Sequence, residues 1–356
     1  MNLKTYLIDA MKISIGTNIK EGPWGGGNLF AKSLKKFLID KNYEVCTDLK
    51  SDDIDLILIT EPRKTSESSA YTHIDVAKYL EYVKKDTLVL HRVNECDERK
   101  NTKFVNKYLI NANKVADYTI FVSNWLKNLY MSQGLDREYL DVIYAGSDAQ
   151  LFNSNNSSKW DKNLPLKIVT HHWGANWNKG FDIYLYLDEL ISTDRWKNKI
   201  SFTYIGNLPK DIKFKNSSVI KPLSGNELVD KIKENHVYLT ASLNEPSGNH
   251  HIEGAQCGLP LIFINSGGTP EYCNGYGVMF NNKKDFEKKL NEVFKNFDLY
   301  KKIINDYPFN SEKMCIEYLK VFDFMIENKE KFIKKRIYKH PTSFIGKKYF
   351  NFKRSR

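Results

Sequence analysis

From Met11 onward, short β-branched runs alternate with longer amphipathic stretches, and the alternation comes in two sets split by a polar stretch, FNSNNSSKWDKNLP (152–165). Such alternation is the pattern of βαβ units, whose strands run parallel and whose helices cover both faces of the sheet. Two sets imply two domains. In the first, strands are expected at KISIG (12–16), YEVC (43–46), IDLILIT (54–60), TLVLHR (87–92), YTIFVS (118–123) and LDVIYA (140–145), with helices over 29–40, 74–84, 102–113 and 124–133. In the second, strands are expected at LKIVTHHW (166–173), ISFTYIG (200–206), SVIKP (218–222), HVYLTAS (236–242), LPLIFIN (259–265) and YGVMF (276–280), with helices over 181–191, 227–235, 252–257 and 284–297.

The expected fold class is therefore α/β, two doubly wound Rossmann-like domains facing across a cleft, with boundaries near 1–160 and 161–309. A length of 356 residues suits two such cores better than one. A last helical run, 310–335, has no strand behind it and is expected to pack back on the first domain. Residues 336–356 then form a tail.

Net charge is +11, which favours anionic partners. The excess is concentrated at the end: after Glu330 no acidic residue follows, while lysines and arginines interleave with Phe332, Tyr338, Phe344, Tyr349, Phe350 and Phe352. This reads either as a solvated basic tail or as one that rests on an anionic membrane surface. Five cysteines without a CxxC pair read as a reducing compartment, and Lys4 and Asp9 interrupt any signal-peptide core in MNLKTYLIDA. The expected location is cytoplasmic, with the inner membrane face as the tail's contact. Nucleic acid is not expected, because the basic-aromatic mixture is confined to the tail rather than spread over a folded face.

Ligands of doubly wound sheets sit at the carboxyl ends of the strands, so the residues after each strand matter most. After HVYLTAS comes LNEPSGNHHIE (243–253). Glu245 leaves the strand, Gly248 permits a sharp turn, and a helix beginning near His251 would point unpaired amides back at the loop as an anion site. Glu253 would lie on its first turn, able to accept from sugar hydroxyls. The plainer reading is an N-capping cluster in which Glu253 only complements the helix dipole.

Here the residues carry a resemblance. Glu245 to Glu253, followed by GAQCGLPLI and GGTPEY (267–272), resembles the E-x7-E signature of the retaining glycosyltransferases of family 4, which have the GT-B fold. GPWGGGNLFAKSLKKFL resembles that family's glycine-rich loop, FVSNWLKNLY and VIYAGSDAQLF the stretches closing its first domain, and WNKGFDIYLYLDEL its lysine-glycine element. The resemblance implies a sugar moved from a nucleotide-sugar donor, UDP- or GDP-linked, to a glycan, lipid-linked or other hydroxyl acceptor. It gives Glu245 the donor sugar, Glu253 the ribose, and Lys179 with the amides of Gly248, Asn249 and His250 the diphosphate. His91, at the end of a central strand, is expected near the reacting centre, with Arg92 and Asn94 as adjacent alternatives and Glu95 or Asp97 on the acceptor side. Gly26 and Gly27 admit close backbone approach and are expected to bind the nucleotide-sugar.

Of His171 and His172, strand alternation lets one enter the cleft, and His172 is favoured. Pro222 and Leu223 are placed near the base by position alone. The chain departs from the family where relatives usually carry an arginine, at Trp173-Gly174. No cofactor or divalent metal is expected; Asp53-Ile54-Asp55 has a metal-binding spacing but reads as the start of a buried strand. Rival readings are a nucleotide-sugar epimerase or phosphorylase on the same fold, and, of another class, a polyanion- or nucleic-acid-binding protein.

Overall fold

The computed structural model describes residues 11–336 except Pro23. The expected tail beyond Arg336 lies outside the described residues. Arg336 itself is anchored: its guanidinium pairs with Asp117 at 2.6 Å and donates to the carbonyls of Lys85 and Thr87.

The first sheet comprises β1 (Lys12–Ile15), β2 (Glu44–Cys46), β3 (Leu56–Ile59), β4 (Leu88–Val93), β5 (Tyr118–Phe121) and β6 (Leu140–Val142), all parallel in the order β2-β1-β3-β4-β5-β6. Its helices are α1 (Gly26–Asp40), α2 (His73–Tyr82), α3 (Asp97–Lys100), α4 (Val105–Asn113) and α5 (Asn124–Ser132). The second sheet comprises β7 (Leu166–His172), β8 (Ile200–Gly206), β9 (Ser218–Ile220), β10 (Val237–Thr240), β11 (Leu261–Ile264) and β12 (Gly277–Phe280), again parallel, in the order β12-β11-β10-β7-β8-β9. Around it lie α6 (Phe181–Ile191), α7 (Gly225–Lys233), α8 (Asn249–Gln256), α9 (Thr269–Cys273), α10 (Lys283–Lys295) and α11 (Phe297–Ile303), and the described chain closes with α12 (Ser311–Glu327) and α13 (Lys329–Lys335).

Central strands such as β3 (LILI) and β10 (VYLT) are buried along their whole length, as parallel strands covered on both faces must be. Phe30, Ala31, Leu34 and Leu38 of α1 form one apolar stripe against Ile13, Ile15, Leu56 and Leu58. Met314, Tyr318, Phe322 and Met325 of α12 fall at the same helical spacing and enter the same core. The last helices thus return to the first domain.

The chain therefore crosses between domains twice, and the crossings touch. Ser147 bridges Asn310, and the Ser311 N–H donates to the Ser147 carbonyl at 2.8 Å. A Cβ added to Gly146 would stand 2.1 Å from the Asn310 carbonyl carbon, so only glycine fits there.

Strand order reverses between β1 and β3 in the first sheet and between β7 and β10 in the second. The loops that follow those strands converge on one cleft of about 870 Å³. Asp53 and Asp55 lie at the opposite, amino end of the first sheet, where Lys12 (2.8 Å) and Lys84 (2.7 Å) hold them.

Candidate active site

β10 ends at Thr240, and the chain turns through Asn244, at φ 52, into Glu245. The glycine pair after β11 supports this turn from below. Gly268 donates its N–H to the Glu245 carbonyl at 2.8 Å, and a Cβ on Gly267 would stand 2.6 Å from the Glu245 backbone. Gly248, at φ 78, then redirects the chain into α8; a Cβ there would lie 2.5 Å from the His251 ring. Because that turn is so sharp, α8 starts at Asn249, three residues before the expected Ile252. It has no side-chain cap and no acid in its first turn, and the amides of Gly248, Asn249 and His250 donate to no backbone carbonyl. They face the cleft. Unpaired amides at the positive end of a helix dipole make a binding place for an anion.

Both glutamates are buried and each has a fixed partner. The Glu245 carboxylate pairs through Oε2 with Lys179 Nζ and through Oε1 with Arg99 Nε, both at 2.8 Å. Burial pushes its carboxyl up, but Arg99 and Lys179 together outweigh burial and hold it well below the usual carboxylate range. Lys179 is lowered by its own burial, against the pull of Glu245. It is placed by a single 3₁₀ turn, Trp177–Lys179, after which Gly180 packs against Ala241 too closely for any side chain. Glu253, on the second turn of α8 rather than the first, accepts at Oε2 from His171 Nε2 at 2.7 Å. The Tyr238 hydroxyl contacts the other ring nitrogen of that histidine at 3.0 Å.

Four imidazoles pack around this loop, with ring centroids of His172 and His250 4.6 Å apart and those of His250 and His251 4.9 Å apart. Burial drives His172 and His250 well below the ordinary histidine value, and His251 to about 3, so all three rings are neutral. His250 Nε2 meets the Thr240 hydroxyl at 2.8 Å. His171 and His172 both line the cleft, contrary to the expectation that one would turn away. Their roles differ from the sequence reading, because His171 reaches the carboxylate while the Tyr184 hydroxyl holds His172 Nε2 at 2.7 Å.

The structure brings Gly26, Gly27, His172, Lys179, Leu223, Glu245, Gly248, Asn249, His250 and Glu253 to the cleft wall. The two walls meet where a Cβ on Gly26 would stand 2.8 Å from the Asn249 side-chain oxygen. His91 is not brought there. Its Nδ1 contacts the Asn113 side-chain amide at 3.1 Å, and burial, with His73 and Arg137 nearby, lowers it to about 3. The cause is parity: His91 points to the same face as Val89, toward α2 and α4, and Arg92 to the face of Leu88 and Leu90. Arg92 is the β4 residue that lines the cleft, with Asn94 and Glu95 after it. Asp97 is spent capping α4, where it accepts from the amides of Phe104, Val105 and Asn106.

Arg99 is the site residue that sequence reasoning missed. It comes from the first domain on α3, four residues after Glu95, which it also contacts at 3.0 Å. Around it two further bonds tie the domains together: Asn178 donates to the Arg99 carbonyl at 3.1 Å and Asn244 to the Glu98 carbonyl at 3.3 Å.

Residues 213–307, which contain this loop and both glutamates, match the family model described as glycosyl transferases group 1. Across nearly the whole chain the structure is similar to solved glycosyltransferases. A glycosyltransferase from Rickettsia africae superposes with TM-score 0.64 at 13% identity, over 90% of this chain and 100% of its own. The architecture is GT-B. Anabaena HepE, solved with UDP, gives TM-score 0.65 at 13% identity over 88% of this chain and all (100%) of its own. A sucrose-phosphate synthase from Thermosynechococcus elongatus gives 0.62 at 12% identity, covering 89% and 99%. No curated protein sequence matches the chain. The cleft between the two GT-B domains is the one described above.

Proposed function

We propose that the protein is a retaining, metal-independent glycosyltransferase that moves a sugar from a UDP- or GDP-sugar to the hydroxyl of a glycan, lipid-linked or other acceptor. The observation that carries this reading is the convergence, at the reversal point of the second sheet, of open α8 amides, Lys179 and two buried, oriented glutamates. The diphosphate accepts from the amides of Gly248, Asn249 and His250. Glu253, aligned by His171, takes the ribose hydroxyls through its remaining lone pairs, and Glu245 lies beside the donor sugar.

When the glycosidic bond breaks, its electron pair leaves on the diphosphate, and donors already in place meet the added charge without reorganising. Lys179 and Arg99 bring the positive charge, which favours a reaction without a divalent ion. Both oxygens of Glu245 are engaged by these cations, so it is poorly placed to attack the sugar. Same-face arrival of the acceptor hydroxyl, with its proton passing to the leaving phosphate, then accounts for retention. Anabaena HepE, solved with UDP and with UDP-glucose, supports a donor of this chemical class. The setting proposed is the cytoplasm, with the segment beyond Arg336 meeting an anionic membrane face.

Thermal-shift and calorimetric titration with UDP, GDP and UDP-glucose, with and without EDTA, test the reading. Binding of one nucleotide is expected, unchanged by EDTA and at least about tenfold weaker in Glu253→Ala, where charge-assisted hydrogen bonds are lost. Absence of any nucleotide affinity overturns it, and an inverted product anomer overturns retention.

A further inference from the structure

Three stretches of the sequence, FVSNWLKNLY (121–130) and VIYAGSDAQLF (142–152) on one side and GGTPEY (267–272) of the second domain on the other, meet at the carboxylate of Glu271. Helix α5 is capped by Ser123, whose hydroxyl serves the Leu126 amide, but it has no acid in its own first turn. Its two leading amides, those of Asn124 and Trp125, donate instead to Glu271 Oε2 and Oε1 at 2.8 and 2.7 Å. The Asn124 side-chain amide (3.0 Å) and the Tyr144 hydroxyl (2.9 Å) also donate to Oε2. A carboxylate there meets open N–H groups and the positive end of a helix dipole together, and it comes from the facing domain. The next residue repeats the link: the Tyr272 hydroxyl accepts from the Ala145 amide at 3.0 Å and donates to the Val122 carbonyl.

The same short segment holds the loop of Glu245. Helix α9 is only five residues long, starts with a proline in its first turn, and ties the Glu271 amide to the Gly268 carbonyl at 3.0 Å. Gly268 in turn donates to the Glu245 carbonyl, and the Ser266 hydroxyl accepts from the Asn244 amide at 2.9 Å. A Cβ on Gly268 would stand 2.3 Å from the Pro246 carbonyl oxygen and 2.7 Å from the Ser123 hydroxyl, so this glycine is pressed between the loop and the cap of α5. Movement of α5 against α9 therefore reaches the Glu245 turn through the main chain.

We propose that Glu271 is a positioning residue, a latch from the second domain onto the head of α5 that sets the closed angle between the domains and the seat of Glu245 within it. Its bearing on sugar transfer rests on the glycosyltransferase reading. The groups that this reading gives to the nucleotide, Lys179, Glu253 and the α8 amides, all belong to the second domain and do not depend on the latch. Opening returns the carboxylate and the amides of Asn124 and Trp125 to water, so the closed form is favoured by charge-assisted bonds that the open form lacks.

Small-angle scattering and hydrogen–deuterium exchange of the full chain, without ligand and saturated with UDP, test this in Glu271→Gln, which loses the charge and one acceptor oxygen. The radius of gyration should exceed that of the wild type, and exchange over 243–248 should be faster by about threefold or more. UDP affinity, read by calorimetry, should change by less than about twofold. A second variant, Asn124→Asp, approaches from the other side: it gives α5 an acid of its own, so the helix is not weakened, but sets that acid against Glu271. It should open the domains in the same way. Unchanged scattering in both variants, or faster exchange confined to 124–132, reduces Glu271 to a cap of α5 and overturns the latch. A loss of UDP affinity of about tenfold or more places Glu271 in the donor site and overturns the positioning role. Should the wild type not bind UDP at all, the nucleotide reading fails, and the ligand-free scattering and exchange still decide on Glu271.

Discussion

Neutral histidines set the acid sensitivity of this molecule. His91, His172, His250 and His251 are held below 6.5 by burial, so the folded chain carries fewer protons than the unfolded chain at mildly acidic pH. The sign follows: their stabilising contribution is complete above about 6.5 and is lost as pH falls toward the folded values, at up to about 1.4 kcal/mol per pH unit for each ring. Urea unfolding between pH 8 and 5 should show the midpoint falling steeply below about 6.5, from histidine protonation. An equal midpoint at pH 5.5 and 7.5 would contradict it. Glu245 acts lower: its depressed carboxyl contributes above its unfolded value and is lost only in stronger acid. Glu245→Ala leaves buried Lys179 without its counter-charge, while Arg99 keeps Glu95, and the penalty for such an orphaned buried cation is on the order of 3 kcal/mol. Sugar transfer should fall by roughly a hundredfold or more in the same variant, read from initial rates. Which of His91 and Arg92 faces the cleft was not legible beforehand, because all six residues of β4 are buried and no polar alternation marks its faces.

Helix α8 lies so close to β10 that a Cβ on Gly254 would stand 2.2 Å from the Tyr238 ring. Gly254→Ala should gain about 1 kcal/mol of helix propensity and lose more than that to overpacking, typically about 1–3 kcal/mol, because the neighbour is a buried ring. The lifted helix would also carry Glu253 away from His171. Urea denaturation together with UDP titration checks this: both stability and affinity should fall, and a more stable variant would refute the packing argument. At this level the sequence was informative wherever burial is two-sided or periodicity long. The strands and α6 stand where the alternation put them, within a few residues at their ends. The start of α8 was misplaced because Pro-Ser-Gly-Asn reads as loop until the positive φ of Gly248 shows that the turn ends there. The four-residue α3 is too short to leave a period, and with it Arg99 escaped notice. Its partner Glu245 is on the other domain, and no local spacing encodes a pairing across a cleft.

The two domains are joined in the cleft through the Arg99–Glu245 pair as well as through the chain. Arg99→Ala should loosen that closure, and small-angle scattering of the ligand-free protein should show a larger radius of gyration than the wild type. Identical profiles would show that Arg99 does not hold the domains. Truncation after Arg336 preserves its bonds to Asp117 and the first sheet, so it should leave UDP affinity unchanged while reducing sedimentation with anionic vesicles. Equal sedimentation would remove the membrane role from that segment. The GT-B architecture was legible as a whole because each half repeats one alternation, whereas the angle between the halves depends on side chains far apart in sequence. The paired crossings at Ser147 and Asn310 determine how that angle can change. With both covalent tethers pinned side by side, the second domain can swivel about one pivot but can hardly translate, so opening for product release should resemble a door on a single pin, and Gly146 is the bushing that leaves it room to turn.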